Sequence, residues 1–523
     1  MNVWNFISII ICFIIFIPIF LIIYNINIDS ENWIHIKENL VFRYISSTFY
    51  LVMGVGLLST LIGVGCAWFV TCHNFYGRKF MEWILILPLT IPTYIVAYSY
   101  YDILETLNPI FNWSRVNIGI QETIMLENFF VYLIVIFLFS FVLYPYIYLS
   151  VRASLIIQGS RFIEAANTLG VAGDKIFKKV ILPNIRPAII AGLSLVVMET
   201  LNDYAAVEYF GISTLTIGVF RSWFGMHDIG SALKLSSYLI IFIFAFLTIE
   251  RFYRKKQKYN NIIGSNNKFK RIQLGNKTTI LVLIFCSTPF VLGCLIPIGR
   301  LLTWLIRSSF NFDNINLLSI SLNTIFISIT SCVVITLLAF LIIFSRNYFN
   351  SNILKKISGL AILGYSMPGA IIAIGVLKLN NTMNSIYPLM LVGSISGLIF
   401  AYLVRFLAVA WQPIESSMEK QCSSINQASR TLNIKALGSL IKINIPIMKK
   451  PLLLTSLIVF IDVSKELPLT LILRPFNFDT LATLTYDLIN QAQFFQSSLP
   501  SLLIIVISVP AIFIINRQVN TER

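Results

Sequence analysis

Charge is what this sequence has least of. Asp, Glu, Lys and Arg together make up 12% of its 523 residues, about half the ~25% of an average soluble chain. That is too little to cover a soluble surface of this size. With 57% hydrophobic residues and a mean hydropathy of +0.81, the composition excludes a soluble globular protein and leaves an integral membrane one. No CxxC pair occurs among the seven cysteines. Six of them (Cys12, Cys66, Cys72, Cys286, Cys294 and Cys332) lie in or at the ends of apolar runs. Neither a disulfide framework nor a metal knuckle is indicated. The three histidines, His35, His73 and His227, are scattered and read as loop or interface residues, so no metal site is expected. No G-x-x-x-x-G-K-[ST] stretch is present, so the chain lacks the usual cradle for nucleotide phosphates.

What the chain has is apolar runs. A membrane span takes about 20 mostly apolar residues. Twelve are expected, at roughly 6–24, 49–71, 83–101, 129–151, 187–209, 235–250, 278–299, 320–344, 358–377, 386–404, 451–473 and 499–516. The first lacks a basic leader and a small-residue cleavage site, and reads as a retained span. The third run of each half carries proline, Pro88 and Pro92 in one and Pro368 in the other; a simple kink is expected at each.

The net charge of +16 could suggest nucleic acid, but its placement suggests a membrane instead. With the N-terminus in the cytoplasm, segments 72–82, 152–186, 251–277, 345–357, 405–450 and the tail hold 29 of the 39 Lys and Arg. The opposite side holds nine, and Lys465 lies within a span. This is the positive-inside bias, with both termini inside and no nucleic-acid partner. The basic, Asn-rich run from Arg254 to Arg271 joins the halves, as a solvated linker or a contact for anionic lipid.

A polar island, Glu164–Pro183 (EAANTLGVAGDKIFKKVILP), returns 263 positions later as Gln427–Pro446 (QASRTLNIKALGSLIKINIP). The chain is therefore two copies of one unit: a six-span half at 1–252, a linker at 253–277 and a second half at 278–523. Pro92 to Pro368 is offset by 276, so the first half is longer, most simply in the loop at 102–128. In each island the pattern predicts a short helix-turn-helix. Ser160 caps the first helix and Gly170 ends it in the left-handed region. Asp174 caps the second helix, and Pro183 stops it. In the copy, Ser423 or Ser424 caps, Asn433 replaces the glycine and Pro446 ends the motif. A short helix with small residues on one face suits a partner's groove; lying flat on the membrane is the alternative.

The pattern E-A-A, three residues, G, and later I-x-L-P resembles the cytoplasmic loop of ABC importer permeases. The likeness covers essentially the whole chain, since the six-span half occurs twice. It implies an all-α integral membrane fold of two tandem six-helix halves. It also implies docking of a separate ATPase, in two copies, on segments 160–183 and 423–446. Glu164, Ala165, Ala166, Gly170 and Pro183 match the pattern, with Val180 for its Ile. Gln427, Ala428, Asn433 and Pro446 stand at the degenerate copy. ATP and Mg would sit on the partner, so no cofactor and no catalysis are expected of this chain. Its place would be the bacterial inner membrane, among lipid, with a periplasmic substrate-binding protein as a further partner.

Charges inside spans are costly and point to function. The two fifth spans carry them at matched positions: Glu199 with Asp462, Asn202 with Lys465, and Asp203 with Glu466. They read as the polar lining of a translocation pathway, with Lys465 neutralising a carboxylate, or as a structural charge network. The words NDYAAVEYFG and KELPLTLILRPFNFDTLAT look like the ferric-iron subgroup of these permeases, whose members fuse two halves and receive cargo from a periplasmic ferric-binding protein. Carboxylate oxygens suit a hard cation, but polyamines too. A thiamine or polyamine permease is the alternative, and an ion-coupled secondary transporter a further one.

Overall fold

A computed structural model describes residues 3–24, 30–100, 102–168, 173–255, 271–308, 316–361, 364, 367–384 and 393–521. It is 87% helical. Among the described residues, extended pairing is confined to a parallel bridge of His73–Asn74 with Ile272–Gln273. Lipid offers backbone groups no hydrogen bonds, so a chain this apolar satisfies them within helices.

Nine helices among the described residues are long and apolar enough to cross a membrane. They coincide with nine of the twelve runs. The remaining three, like the end of run 187–209, are divided between two helices among the described residues. Run 83–101 is a bent pair, Arg78–Thr90 and Thr93–Ser99, meeting at 90°, a break where a kink was expected. Run 358–377 divides into Asn352–Ala361 and Gly369–Asn384. Run 451–473 divides into Ile445–Ser464 and Pro468–Leu473. Pro92 and Pro368 stand just before the second helix of the broken third spans, where a proline can start a helix but cannot continue one.

The helices gather into two compact units that do not follow chain order. One consists of Met1–Ile36, Gly218–Tyr238 and Leu305–Arg523; the other of Lys37–Ile217 and Leu239–Trp304. The first span of each half thus packs within the unit built from the other half. In the first unit, Val3–Tyr24 seats on Gly375, where an added Cβ would stand 2.6 Å from the Pro18 carbonyl oxygen. Ser345 also donates to Asn5 over 2.9 Å. A small residue lets two helices approach this closely.

The extra length before the fourth span is not a loop. It is the helix Asp102–Asn117, folded back on the start of the fourth-span helix. Phe111 meets Phe130 at 6.1 Å, Thr123 donates to Ser114 over 2.9 Å, and Arg115 pairs with Glu127 at 2.5 Å.

Candidate functional site

The two polar islands extend long helices. The fourth-span helices run unbroken over Ile120–Thr168 and Ile395–Thr431. Ser160, Ser423 and Ser424 therefore lie inside helices and not at their starts. Continuity holds although Gly159 lies within the first helix and Pro413 within the second. At ~1.5 Å per residue the first helix is roughly 70 Å long, over twice the ~30 Å hydrocarbon core. Of Glu164, Ala165, Ala166 and Gln427 only the backbone is described, and Gly170 lies outside the described residues.

The second island is described closely. Ile395–Thr431 ends at Leu432, and Asn433 follows with φ 54°, in the left-handed region. The Ile434 amide donates to the Ser429 carbonyl and the Asn433 amide to that of Arg430, both over 3.0 Å. This is a Schellman stop with Asn as the left-handed residue. Ala428 and Asn433 are exposed.

Pro183 and Pro446 do not stop the second helix. Gly173–Ile176 passes through a π turn, Phe177–Ile181, into the fifth span Leu182–Asn202. Ala436–Ser439 passes likewise through Leu440–Asn444 into Ile445–Ser464. A proline clashes with the carbonyl four residues back and gives it no donor. A π turn just before the ring widens the helix there and lets it continue.

Sequence reasoning missed a polar clasp inside the second island. Asn444 Nδ2 donates to Asn426 Oδ1 over 3.0 Å and to the Ser439 carbonyl over 2.9 Å. Ser429 and Ser439 hydroxyls meet at 3.2 Å. All four residues are buried. At the same places the first island has Ile163, Ala166, Ile176 and Ile181, so one is closed by polar bonds where the other has apolar residues.

The charged fifth spans end at matched places. Leu182–Asn202 stops before Asp203, and a five-residue helix, Ala205–Tyr209, follows. Ile445–Ser464 stops before Lys465, and Pro468–Leu473 follows. Each break has a buried carboxylate that caps the short helix. Asp203 Oδ1 accepts from the Ala206 amide over 3.0 Å, and Glu466 Oε1 from the Leu469 amide over 3.3 Å. Each carboxylate also reaches the break in the third span of its own unit. Thr93, the first residue after Pro92, donates its hydroxyl to Asp203. Gly369, the first residue after Pro368, has no side chain. Arg405 of the fourth span takes that place and donates to Glu466 over 2.6 Å, both side chains buried.

Of the other expected pathway residues, Lys465 pairs with Asp462 at 3.2 Å. Glu199 is half-buried and Asn202 buried, beside Asp203 in sequence and in the same unit. Asp462 and Glu466 belong to the other unit. Near each break, a second-span threonine accepts the first amide of the next helix. Leu215 donates to Thr48 over 2.9 Å, and Leu481 to Thr324 over 2.8 Å. Beyond the second break Arg474 binds Asp479 and, at 3.2 Å, Asp487.

Arg405 was missed because span 386–404 was ended one residue short of it, leaving the arginine in a basic loop. A signal existed: Glu466 in an apolar run needs a cation, and Gly369 leaves room for one. Thr93 gave no signal, since a hydroxyl in a span can bond its own helix. Among the described residues no three His, Cys, Asp or Glu gather as a metal cluster. The arrangement offers oxygen-rich, non-helical backbone within apolar helices, the form in which membrane proteins present polar groups to a solute.

Residues 59–258 match the family model described as "Binding-protein-dependent transport system inner membrane component". The chain is 24% identical over 480 residues to the Fe(3+)-transport system permease protein FbpB 2 of Haemophilus influenzae, covering 90% of this chain and 89% of that protein. It is 24% identical over 201 residues to the sulfate transport system permease protein CysT of Salmonella typhimurium, covering 38% of this chain and 70% of that protein. The CysW sulfate permease protein of Escherichia coli is 25% identical over 200 residues, or 38% of this chain and 66% of the relative.

Proposed function

We propose that the chain, which resembles the binding-protein-dependent transport system inner membrane components over residues 59–258, is the membrane subunit of an ABC importer through which ferric iron crosses. The likeness that carries this reading is to the Fe(3+) permease protein, which runs along 90% of the chain, whereas the sulfate permease proteins match 38% of it. The chemistry agrees. Asp203 puts a hard oxygen donor at the first break, suited to a hard cation, while Glu466 at the second is held by Arg405. No resident metal is invoked; iron is cargo.

A separate ATPase, in two copies, docks on segments 160–183 and 423–446. Glu164, Ala165, Ala166, Gly170 and Pro183 form one handle, and Gln427, Ala428, Asn433 and Pro446 the other. ATP and Mg stay on that partner. A periplasmic binding protein delivers the iron on the opposite side, and both termini of the chain are cytoplasmic. Closure of the ATPase pair draws the handles together, and the fifth spans follow, opening Glu199, Asn202, Asp203, Asp462, Lys465 and Glu466 to the outer side.

Uptake in a deletion strain tests the substrate, with labelled ferric iron, sulfate, thiamine and spermidine supplied separately. Iron uptake restored by the chain, with the others unchanged, is the expected result. Restoration of sulfate, thiamine or spermidine instead overturns the iron assignment.

A further inference from the structure

Where each fourth-span helix leaves its apolar stretch a charged residue stands at a matched position, and the two are 263 positions apart: Arg152 and Glu415, the latter followed by Glu419 and Lys420. This is the offset of the islands themselves, so each charge lies equally far before its handle. The signs are opposite.

Each charge is held in a compact cluster within its own unit. In the first half, Arg152 lies 3.4 Å from Glu82, which also binds Arg78; all three residues are buried. The Arg152 guanidinium lies over the Tyr148 ring at 5.8 Å, and the Tyr148 hydroxyl reaches the Glu82 carbonyl at 3.5 Å. In the second half, Glu415 binds Arg346, from the end of the second span. Trp411 Nε1 donates to the other Glu415 oxygen over 3.0 Å. The Arg346 guanidinium lies 5.6 Å from the Trp411 ring centre.

Tyr148 and Trp411 are also 263 positions apart, one turn before the charge in each half. Both clusters thus hold a cation, a carboxylate and a fourth-span ring. The fourth span supplies a cation in the first cluster and the carboxylate in the second, and the first holds two arginines where the second holds one. Past the second cluster the same two helices meet again: Tyr348 donates to the Ile434 carbonyl over 3.0 Å, and Arg430 lies 4.6 Å from the Tyr348 ring centre.

The Arg152–Glu82 pair is buried, whereas Glu415 is 30% exposed beside a buried Arg346; an ion pair of either kind is poor at adding stability. What it fixes is register. We propose that Arg152 and Glu415 are positioning residues that lock the fourth-span helix against its neighbours at the foot of the membrane. Displacement of the handle is thereby passed into the spans and not lost in bending. This rests on the importer reading.

The complete complex in liposomes, with its ATPase and binding protein, tests it through ferric iron taken up per ATP hydrolysed. Glu415→Gln is expected to lower that ratio about tenfold, a coupling loss within the usual range, while the complex still assembles and hydrolyses ATP. The exchange Arg346→Glu with Glu415→Arg, made together with Trp411→Tyr so that no indole N–H loses its acceptor, is expected to restore the ratio, since the first half places an arginine one turn after a tyrosine at these positions. A wild-type ratio in Glu415→Gln, or no recovery in the exchange, overturns the lock. If Glu415→Gln fails to assemble, the neutral pair Arg346→Gln with Glu415→Gln replaces it, and a wild-type ratio there overturns the lock equally. A wild-type complex whose ATP hydrolysis ignores its binding protein refutes the importer reading instead.

Discussion

Arg405 donates to Glu466 over 2.6 Å in the place that Thr93 occupies beside Asp203 in the first half. A cation from the fourth span and a hydroxyl from the third do the same work. Thr93 ties the broken third span to the broken fifth through Asp203, and Arg405 ties the fourth span to the broken fifth through Glu466, beside Gly369 of the third. The exchange is possible because Gly369 stands where the first half has Thr93. An added Cβ there would lie 2.7 Å from Glu466 Oε1 and 3.1 Å from Leu469 Cβ.

Arg405→Leu leaves Glu466 without its cation in an apolar setting. Removing one partner of a buried pair costs about 3–5 kcal/mol. A fall in the thermal midpoint of the purified protein in detergent is expected, and a smaller fall when Glu466→Leu is added. An unchanged midpoint in the single variant would show that the pair holds nothing together.

Thr93→Val keeps the shape and removes the donor to Asp203. Hydrogen bonds to charged groups contribute about 1.5–3 kcal/mol. Thr93→Ser should retain most of that in chemical denaturation, and equal losses in both variants would mean that packing, not the hydroxyl, matters.

At Asn433 the backbone is left-handed. Asn433→Gly should be neutral or slightly stabilising, and Asn433→Val should cost about 1–2 kcal/mol. Limited proteolysis around residues 427–446 would read this as faster cleavage in the Val variant alone.

Asn444→Ala breaks the clasp and strands buried partners at Asn426 and Ser439. A cost of about 1–3 kcal/mol is expected, seen as faster amide exchange over 426–444. The reciprocal Ile181→Asn puts an unmatched amide into the first island and should destabilise that one. If both variants exchange like wild type, the two islands are not closed in different ways.

Asp228 carries the pH dependence outside the spans. Partial burial alone would push its carboxyl up. Hydrogen bonds from Ser30 at 2.6 Å, the Ser231 amide at 3.0 Å and Asn32 at 3.3 Å outweigh this and hold it below the usual carboxylate range. A depressed acid stabilises the fold above its unfolded value, about 4, and the benefit goes as pH falls through the lower folded value. The attachment of Ser30 and Asn32 should therefore be constant from neutral pH to about 5 and weaken in stronger acid. Asp228→Asn should be weaker at neutral pH and flat in acid, and a pH profile like that of wild type would refute the assignment.

Much of this protein was legible in its residue order. Scarcity of charge and runs of about 20 apolar residues specify membrane helices, because in lipid the backbone has no other way to satisfy itself. The spacing of Glu164–Pro183 and Gln427–Pro446 pointed to a repeat of 263 residues, and Asn433 announced a left-handed stop. The matched charges at Asp203 and Glu466 were legible as a pair, but the breaks beside them were not. What the order of residues left open was decided by contacts between distant segments. A span such as Val3–Tyr24 is apolar all round, so no face of it names a partner; it lies with the other half because Gly375 has room for its backbone. Proline says that a helix is disturbed, but whether it bends, as at Pro183 beside a π turn, or breaks, as at Pro92, depends on what can bond the freed groups. The use of Arg405 depended on the same physics: a buried carboxylate demands a donor, and only the tertiary structure determines whether that donor is a threonine next door or an arginine from another helix.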